Sequence, residues 1–379
     1  MAKHTSDEAL IARIAAARQR SLDWLTGMQC AGKPRGVTRI SARHDPRRWP
    51  DVLLPGTYNA IMCLALLDGL TDWTAAERTA LASWIKGFRL SDGRFRMPSM
   101  GDADVFKKPD LAETWRYIDW HITNYSLGAI DVIEPNRHRL LGFIGDYLDD
   151  PGKLEAWFGR RDLRDPWQEG NNIVNLAGFM LLLKRDCSPT RARQIDAALG
   201  ILFDWHERNQ EPTTGFWGVG QLSDATRRLH AMAGSMHNFH IWYAFGRPLP
   251  GQAYAADYCL TLPTAIDSAC IDTDAVDVLI HAHRMLGYRT GDIETWLRGK
   301  LIALLDFQND DGGFADVLEG IRRQDGWVRG YEEPQGHSNT FATWFRWIAI
   351  AMIADVLWPS RWRWQFRTMI GIGYRKDPW

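Results

Sequence analysis

The 379-residue sequence has no CxxC pair, and its five cysteines, Cys30, Cys63, Cys187, Cys259 and Cys270, are an odd, scattered set. That excludes a disulfide framework and a zinc knuckle, and it predicts reduced thiols in a cytoplasmic setting. Neither common type of glycine-rich phosphate loop is present. A surplus of one charge is missing too: 45 Lys and Arg face 46 Asp and Glu. A general nucleic-acid surface is therefore not expected. The first thirty residues carry charge throughout and hold no apolar core before a small-residue cleavage site, so no export signal is expected. The longest apolar run, WIAIAMIADVLW from Trp347 to Trp358, contains Asp355 and falls short of the roughly 20 residues of a spanning helix. It reads as a buried helix. No Pro-, Gly- or Ser-rich linker divides the chain, which predicts one domain over residues 1–379 ending in a basic aromatic tail, 358–379.

What the sequence has in excess is aromatic side chains: 19 Trp, 15 Phe and 10 Tyr, enough to fill a wide core or to wall a cavity. Strict period-two alternation is almost absent, whereas periodic apolar patterns predict twelve helices. They cover 7–29, 56–70, 74–88, 117–133, 138–149, 169–185, 189–209, 228–245, 252–261, 273–286, 292–307 and 337–357. A repeat emerges when the ends of alternate helices are aligned. Asp23-Trp24, Ser83-Trp84, Asp146-Tyr147, Asp204-Trp205, Asp257-Tyr258 and Asp306-Phe307 follow one another at steps of 49 to 63 residues. Three of them lead into a glycine–aromatic turn: Arg89-LSD-Gly93-Arg-Phe95, Gln210-EPTT-Gly215-Phe-Trp217 and Gln308-NDD-Gly312-Gly-Phe314. Six helical hairpins with a common turn predict an all-α fold, an (α/α)6 toroid whose inner helices line a central cavity; an open helical solenoid is the alternative. The inner set would be 56–70, 117–133, 169–185, 228–245, 273–286 and 337–357.

Gln308-x3-Gly312-x-Phe314 resembles the QW motif of squalene-hopene cyclases, with Phe in place of Trp, and the turn at Gln210 resembles a copy lengthened by one residue. The chain thus resembles the toroid superfamily of terpene cyclases and protein prenyltransferases. The helical-pair pattern extends along most of the sequence, and the motif-level similarity runs from about residue 200 to 315. The zinc ligand set of the prenyltransferases is not recognisable.

The segment Ile271-Asp-Thr-Asp-Ala-Val-Asp277 opens an apolar helix with three carboxylates. Asp274 and Asp277 share one face, which His281 extends. Like charges this close raise each other's proton affinity, and an acid protonated near neutral pH suits general-acid chemistry on a weakly basic substrate. The other reading makes Asp272 an N-cap and leaves its neighbours on a solvated first turn. The segment resembles the Asp-x-Asp-Asp motif of class II terpene cyclases, with Gly287-Tyr288 and a QW-like turn following in order. By that resemblance Asp272 takes the first position and Asp274 is the acid that protonates an alkene. Ala275 stands where the family has Asp, and Asp277 is the candidate substitute.

Polar pairs recur at the same interval near the starts of other inner helices: His121 with Asn124, Glu169 with Asn172, and His237 with His240. Together with Asp274, Asp277 and His337 they are expected to form one polar, substrate-binding pocket over aromatic faces that include Trp217 and Trp242. Capping or an internal hydrogen bond is the alternative for each residue. HxxH at His237 is weak as a zinc motif, and no metal site is expected. A diphosphate would be held by helix N-termini and arginines such as Arg322, Arg323, Arg329 or Arg346. The tail WPSRWRWQFRTMIGIGYRK alternates Trp with Arg, and either lies on a membrane surface near a lipid substrate or packs across the rim.

These features lead to a class II-like terpene cyclase acting on an isoprenoid, with Asp274 as acid and aromatic faces steadying the cation. No cofactor is required, and Mg2+ enters only with a diphosphate substrate. A carbohydrate-active toroid, a polysaccharide lyase or glycosidase using Glu169 and Asp274, is the second reading. A non-catalytic ligand-binding toroid is the third.

Overall fold

The computed structural model describes residues 6–100, 117–134, 141–218, 224–266, 268–317, 321–323 and 331–375; for Tyr117 and residues 321–323 the description is of the backbone. Thirteen α-helices are present among them: α1 Asp7–Gly27, α2 Leu53–Leu66, α3 Ala75–Lys86, α4 Tyr117–Ile133, α5 Gly145–Asp149, α6 Pro151–Gly159, α7 Pro166–Lys184, α8 Pro189–Asn209, α9 Ala225–Ala244, α10 Gln252–Thr261, α11 Ala269–Leu286, α12 Thr290–Asp306 and α13 Thr340–Leu357. The described β-structure is one antiparallel ribbon, β1 Ile321–Arg323 with β2 Glu332–Pro334, and isolated bridges. The fold is all-α, as the periodicity predicts.

The chain gathers into two compact units. The first takes in the described residues up to Leu81, from Cys259 to Arg323 and from Tyr331 to Phe366; the second runs from Ala82 to Tyr258 and resumes at Arg367. In the first unit, α13 packs on α11 and on α2, while α1 and α12 cover them. All fourteen residues of α2 are buried, and α13 is buried at every position except Asp355 and Leu357. Helices apolar all round need neighbours on every side. In the second unit α7 packs on both α4 and α9, with α8 behind α7 and the short α5 and α6 on α8. The α7–α9 contact is close because it has no side chains in the way: a Cβ on Gly170 would come 2.2 Å from the Gly234 carbonyl oxygen. By contrast α8 buries only a stripe, Ile195, Ala198, Leu199, Leu202, Phe203, Trp205 and His206. The six helices predicted as inner are thus the thoroughly buried ones.

The repeated turn is a defined structure. Arg89 bridges Phe95, Gln210 bridges Trp217 and Gln308 bridges Phe314, and a fourth turn of this design joins Gln29 to Thr38. Gly93, Gly215 and Gly312 hold φ of 100°, 73° and 96°, in the left-handed region that only glycine enters cheaply. Each turn is then fixed to a following, thoroughly buried helix by a hydroxyl. The backbone N–H groups of Thr38, Phe95, Trp217 and Phe314 donate to Thr57, Thr123, Ser235 and Thr343 at 3.1, 2.9, 2.9 and 2.9 Å. The glutamine amide closes the same turn. Gln308 Nε2 donates to the carbonyls of Gly312 and of Ala17 on α1, and Gln210 Nε2 to those of Gly215 and Pro250.

Three predicted boundaries are corrected. Of the helix expected over 138–149, residues 138–140 lie outside the described residues, and the rest is a 3-10 turn at Gly142–Ile144 followed by α5, after which Asp150 caps a separate α6 through Gly152 N at 3.0 Å. Pro151 suits the first helical position and cannot continue the preceding one. Residue α13 starts later than 337 because Asn339 caps it, accepting from Ala342 N at 2.8 Å. Ser268, not Asp272, caps α11, which brings Asp272 inside the helix. Over its described residues, 358–375, the tail is irregular. In the first unit Trp358 Nε1 donates to Asp7 at 2.9 Å and Gln365 to Asp68 at 2.8 Å. In the second, Arg367 is buried and donates to Asn124 Oδ1 at 2.6 Å.

Candidate functional site

Starting α11 at Ala269 puts three carboxylates into its first three turns, and all are buried: Asp272, Asp274 and Asp277 expose 3%, 0% and 1%. Their surroundings differ. Asp272 meets Lys300 of α12 with one oxygen and Arg346 of α13 with the other. Those cations are further satisfied by carbonyls, Lys300 by Ala265 at 2.7 Å and Arg346 by Asp316 at 2.8 Å. Asp277 sits 3.1 Å from Nδ1 of His281, one turn on.

Among the described residues no cation meets Asp274. The thiol of Cys270 lies 3.9 Å from its Oδ2, and its Oδ1 has no hydrogen-bond partner among those residues. Burial, and then the charges of Asp277 and Asp272, push its pKa well above the usual carboxylate range. A carboxylate in that position would be a buried charge without a counter-charge beside it, which favours the protonated form. Cys259 feels the same neighbour: burial and the Asp274 carboxyl both push its thiol up.

In the second unit the predicted polar pairs are buried, and several have structural partners. Glu169 takes Arg161 at 2.8 Å on one oxygen and the Asp162 backbone N–H at 2.9 Å on the other. Arg161 also stands 3.5 Å over the Trp157 ring. Asn172 reaches Glu169 at 3.4 Å, and its own Oδ1 has no partner among the described residues. Asn124 lies between Arg367 and Asn175, whose Oδ1 it meets at 2.8 Å. His121 stacks on Tyr125 with ring centroids 4.1 Å apart. His237 and His240 are buried, and Tyr374 lies 5.5 Å from the His240 ring. Trp217 and Trp242 direct their indole N–H groups to His206, at its carbonyl (3.0 Å) and its Nδ1 (3.2 Å). His337 differs from the rest: it is exposed in the turn before α13.

Sequence reasoning missed the groups that answer these charges. Arg346 is wholly buried, not a surface arginine, and with Asp272 as its partner it is not a free diphosphate donor. An arginine within TFATWFRWIAIAM was the available signal, since a cation in such a run must have a buried counter-charge. Of the other arginines named for a diphosphate, Arg329 lies outside the described residues and Arg322 and Arg323 are described by backbone alone. A second buried acid was also missed. Glu333 of β2 accepts from Ser41 Oγ at 2.8 Å and from the Tyr331 hydroxyl through one oxygen, its Oε2 has no partner among the described residues, and burial raises its pKa. Nothing in the spacing of residues 41, 331 and 333 announces it.

The second unit also has a cavity of about 710 Å³ where α7 and α9 begin, with Trp167, His230, Arg164 and Arg227 in its wall. Trp167 and His230 have ring centroids 5.2 Å apart. No known family model matches the chain, and no curated protein matches it. The helix Thr340–Leu357 is apolar and long enough to cross a membrane, but 83% of it is buried inside the protein.

Proposed function

We propose that this protein is a class II-like terpene cyclase in which Asp274 protonates the terminal alkene or epoxide of an isoprenoid. One observation carries the reading: a buried carboxyl that meets no cation among the described residues, with one oxygen unpartnered there and its proton affinity raised by burial. Such a group delivers its proton to carbon because its conjugate base is unstable where it sits, and the positive charge formed on the substrate compensates the new carboxylate. Asp272 serves as an anchor for Lys300 and Arg346, and Asp277 with His281 stands in for the acidic neighbour that Ala275 does not supply. Aromatic faces would steady the migrating cation.

The reading carries with it a six-hairpin α/α toroid, supported by four turns of one design and by the alternation of thoroughly and partly buried helices. Its setting is cytoplasmic. No cofactor is needed, with Mg2+ added only for a diphosphate substrate, and contact with a membrane through the tail remains part of the proposal.

The carbohydrate reading has one observation of its own, the cavity at the starts of α7 and α9, where Trp167 and His230 stand beside paired charges such as Arg227 and Asp224. Against it counts that both oxygens of Glu169 meet partners, Arg161 and the Asp162 backbone N–H. Incubation with linear prenyl diphosphates, squalene and its epoxide, and uronate oligosaccharides, followed by mass spectrometry, decides among the readings. A cyclised product lost in Asp274→Asn supports the cyclase. Cleaved glycans reject it, and specific binding without turnover supports the non-catalytic toroid.

A further inference from the structure

The cavity of about 710 Å³ at the starts of α7 and α9 is built on fixed backbone. A Cβ on Gly234 of α9 would come 2.1 Å from the Pro166 carbonyl oxygen and 2.9 Å from Trp167 Cα, so the two helices meet main chain to main chain beside it. Trp167, held by that contact, lines the cavity together with His230, one turn before Gly234. Both side chains are half-buried, and their rings, tilted by 39°, meet with centroids 5.2 Å apart. Among the described residues this ring contact is the one interaction that either side chain makes, and neither the indole N–H nor the imidazole nitrogens are sealed from solvent. Aromatic surface and open hydrogen-bonding atoms are thus presented side by side.

The charges around this platform answer one another. Arg164 donates to Asp162 through two N–H groups at 2.7 and 2.8 Å, and Arg227 meets Asp224 at 3.1 Å. Asp165 and Asp224 also cap α7 and α9, accepting from Gln168 N at 3.4 Å and from Arg227 N at 2.8 Å. An oxyanion entering here faces carboxylates already seated at both helix starts, and a cation faces two guanidinium groups, so neither sign of charge gains. A hydroxyl group has a different fit. It donates to a carboxylate and accepts from a guanidinium, and joins an Arg–Asp pair without disturbing its charge balance. A ring with C–H faces for the platform and hydroxyls at its edge matches both parts of the lining. That is the chemistry of a pyranose.

We infer that this cavity binds a neutral sugar, its ring against Trp167 and His230 and its hydroxyls on the Arg227–Asp224 pair and the exposed Thr226 hydroxyl. The inference is of binding and not of cleavage. It rests on residues of the second unit alone and is independent of the role proposed for Asp274.

The test is calorimetric titration of the full-length protein to millimolar levels with glucose, galactose, mannose, N-acetylglucosamine, maltose and cellobiose. Glucuronate and glucosamine serve as charged counterparts, and cyclohexanol as a ring without the polyol. The expected result is saturable binding of at least one neutral sugar, weakened about tenfold in Trp167→Ala and less in Trp167→Phe, which keeps an aromatic face. Arg227→Ala should weaken it several-fold. The Arg227 side chain is 57% exposed, so that variant keeps the test sound even if Trp167→Ala fails to fold. Binding is read without turnover, so its failure leaves the Asp274 proposal standing, and failure of that proposal leaves this one. Absence of saturable binding with every neutral sugar, equal binding of cyclohexanol, tighter binding of glucuronate or glucosamine than of any neutral sugar, or unchanged affinity in either folded alanine variant overturns the inference.

Discussion

Arg346 on α13 reaches the carboxylate of Asp272 on α11, 74 residues away in the chain, and both side chains are sealed from water. With Lys300 on the other oxygen, one carboxylate answers two buried cations. Removing a single partner from such a group leaves charge in a medium that cannot solvate it. Asp272→Asn is therefore expected to lower stability by about 3–5 kcal/mol, read as an earlier midpoint in urea unfolding.

Asp274→Asn should behave in the opposite way. An amide resembles the protonated acid, so below about pH 4, where the group is neutral in both the native and the unfolded state, stability changes by less than about 1 kcal/mol, while turnover is lost. The pH dependence carries the sign. Because the native state holds the Asp274 proton above the ordinary carboxylate range, wild-type stability is fully favoured below about pH 4 and declines as pH rises toward the raised native value. Unfolding free energies of wild type minus variant, measured at successive pH values, should fall over that window. A flat difference means that Asp274 titrates normally, and the acid proposal then fails.

The contrast between these neighbours shows where the sequence stops being legible. The apolar periodicity around Asp274 locates α11, and the same reasoning finds α4 at its observed bounds and the three turns that combine glycine with an aromatic. The turn from Gln29 to Thr38 escapes because it has no aromatic to mark it, and α6 escapes because Pro151 begins a helix where the pattern suggested an end. For the site, local sequence brings the carboxylates together but cannot say which one is neutralised. That depends on Lys300 and Arg346, 28 and 74 residues from Asp272, and such pairings arise only from tertiary packing. Likewise the polar pairs read as one substrate pocket, yet Glu169 meets Arg161 and the indoles of Trp217 and Trp242 meet His206.

Glu169→Gln tests whether that ion pair is structural. Arg161 would stay buried over Trp157 with an amide in place of its counter-charge, and burial already draws its pKa down to about 10 with Glu169 opposing. A loss of about 3–5 kcal/mol is expected in thermal or urea unfolding. A variant as stable as wild type but inactive on a uronate substrate would return Glu169 to the catalytic machinery.

The turn hydroxyls offer a test of the repeat. Thr343→Val keeps shape but deprives the Phe314 N–H of its acceptor, and Ser235→Ala does the same to Trp217. Each should cost about 1–3 kcal/mol, the penalty of leaving a buried donor unmade. The check is urea unfolding, with Thr190→Val as a control because Thr190 is exposed near the start of α8.

His206 makes the most specific pH prediction. Its Nδ1 accepts from Trp242, so its own proton is on Nε2, 3.2 Å from Asn238 Oδ1. A second proton would go on Nδ1, break the Trp242 contact and charge a fully buried ring. Burial accordingly pulls the pKa down from 6.5 to about 3, with the Asn238 contact opposing it. The unfolded chain takes up a proton below its ordinary value and the native state does not, so this contribution is complete above pH 6.5 and is lost as pH falls toward the native value. Between the unfolded value and about pH 4 the wild type should lose roughly 3 kcal/mol relative to His206→Gln, which has no proton to gain. Paired urea titrations of the two proteins across that range measure the difference directly. If it stays constant with pH, the imidazole is charged or solvated in the native state, and the neutral Trp217–His206–Trp242 arrangement is wrong.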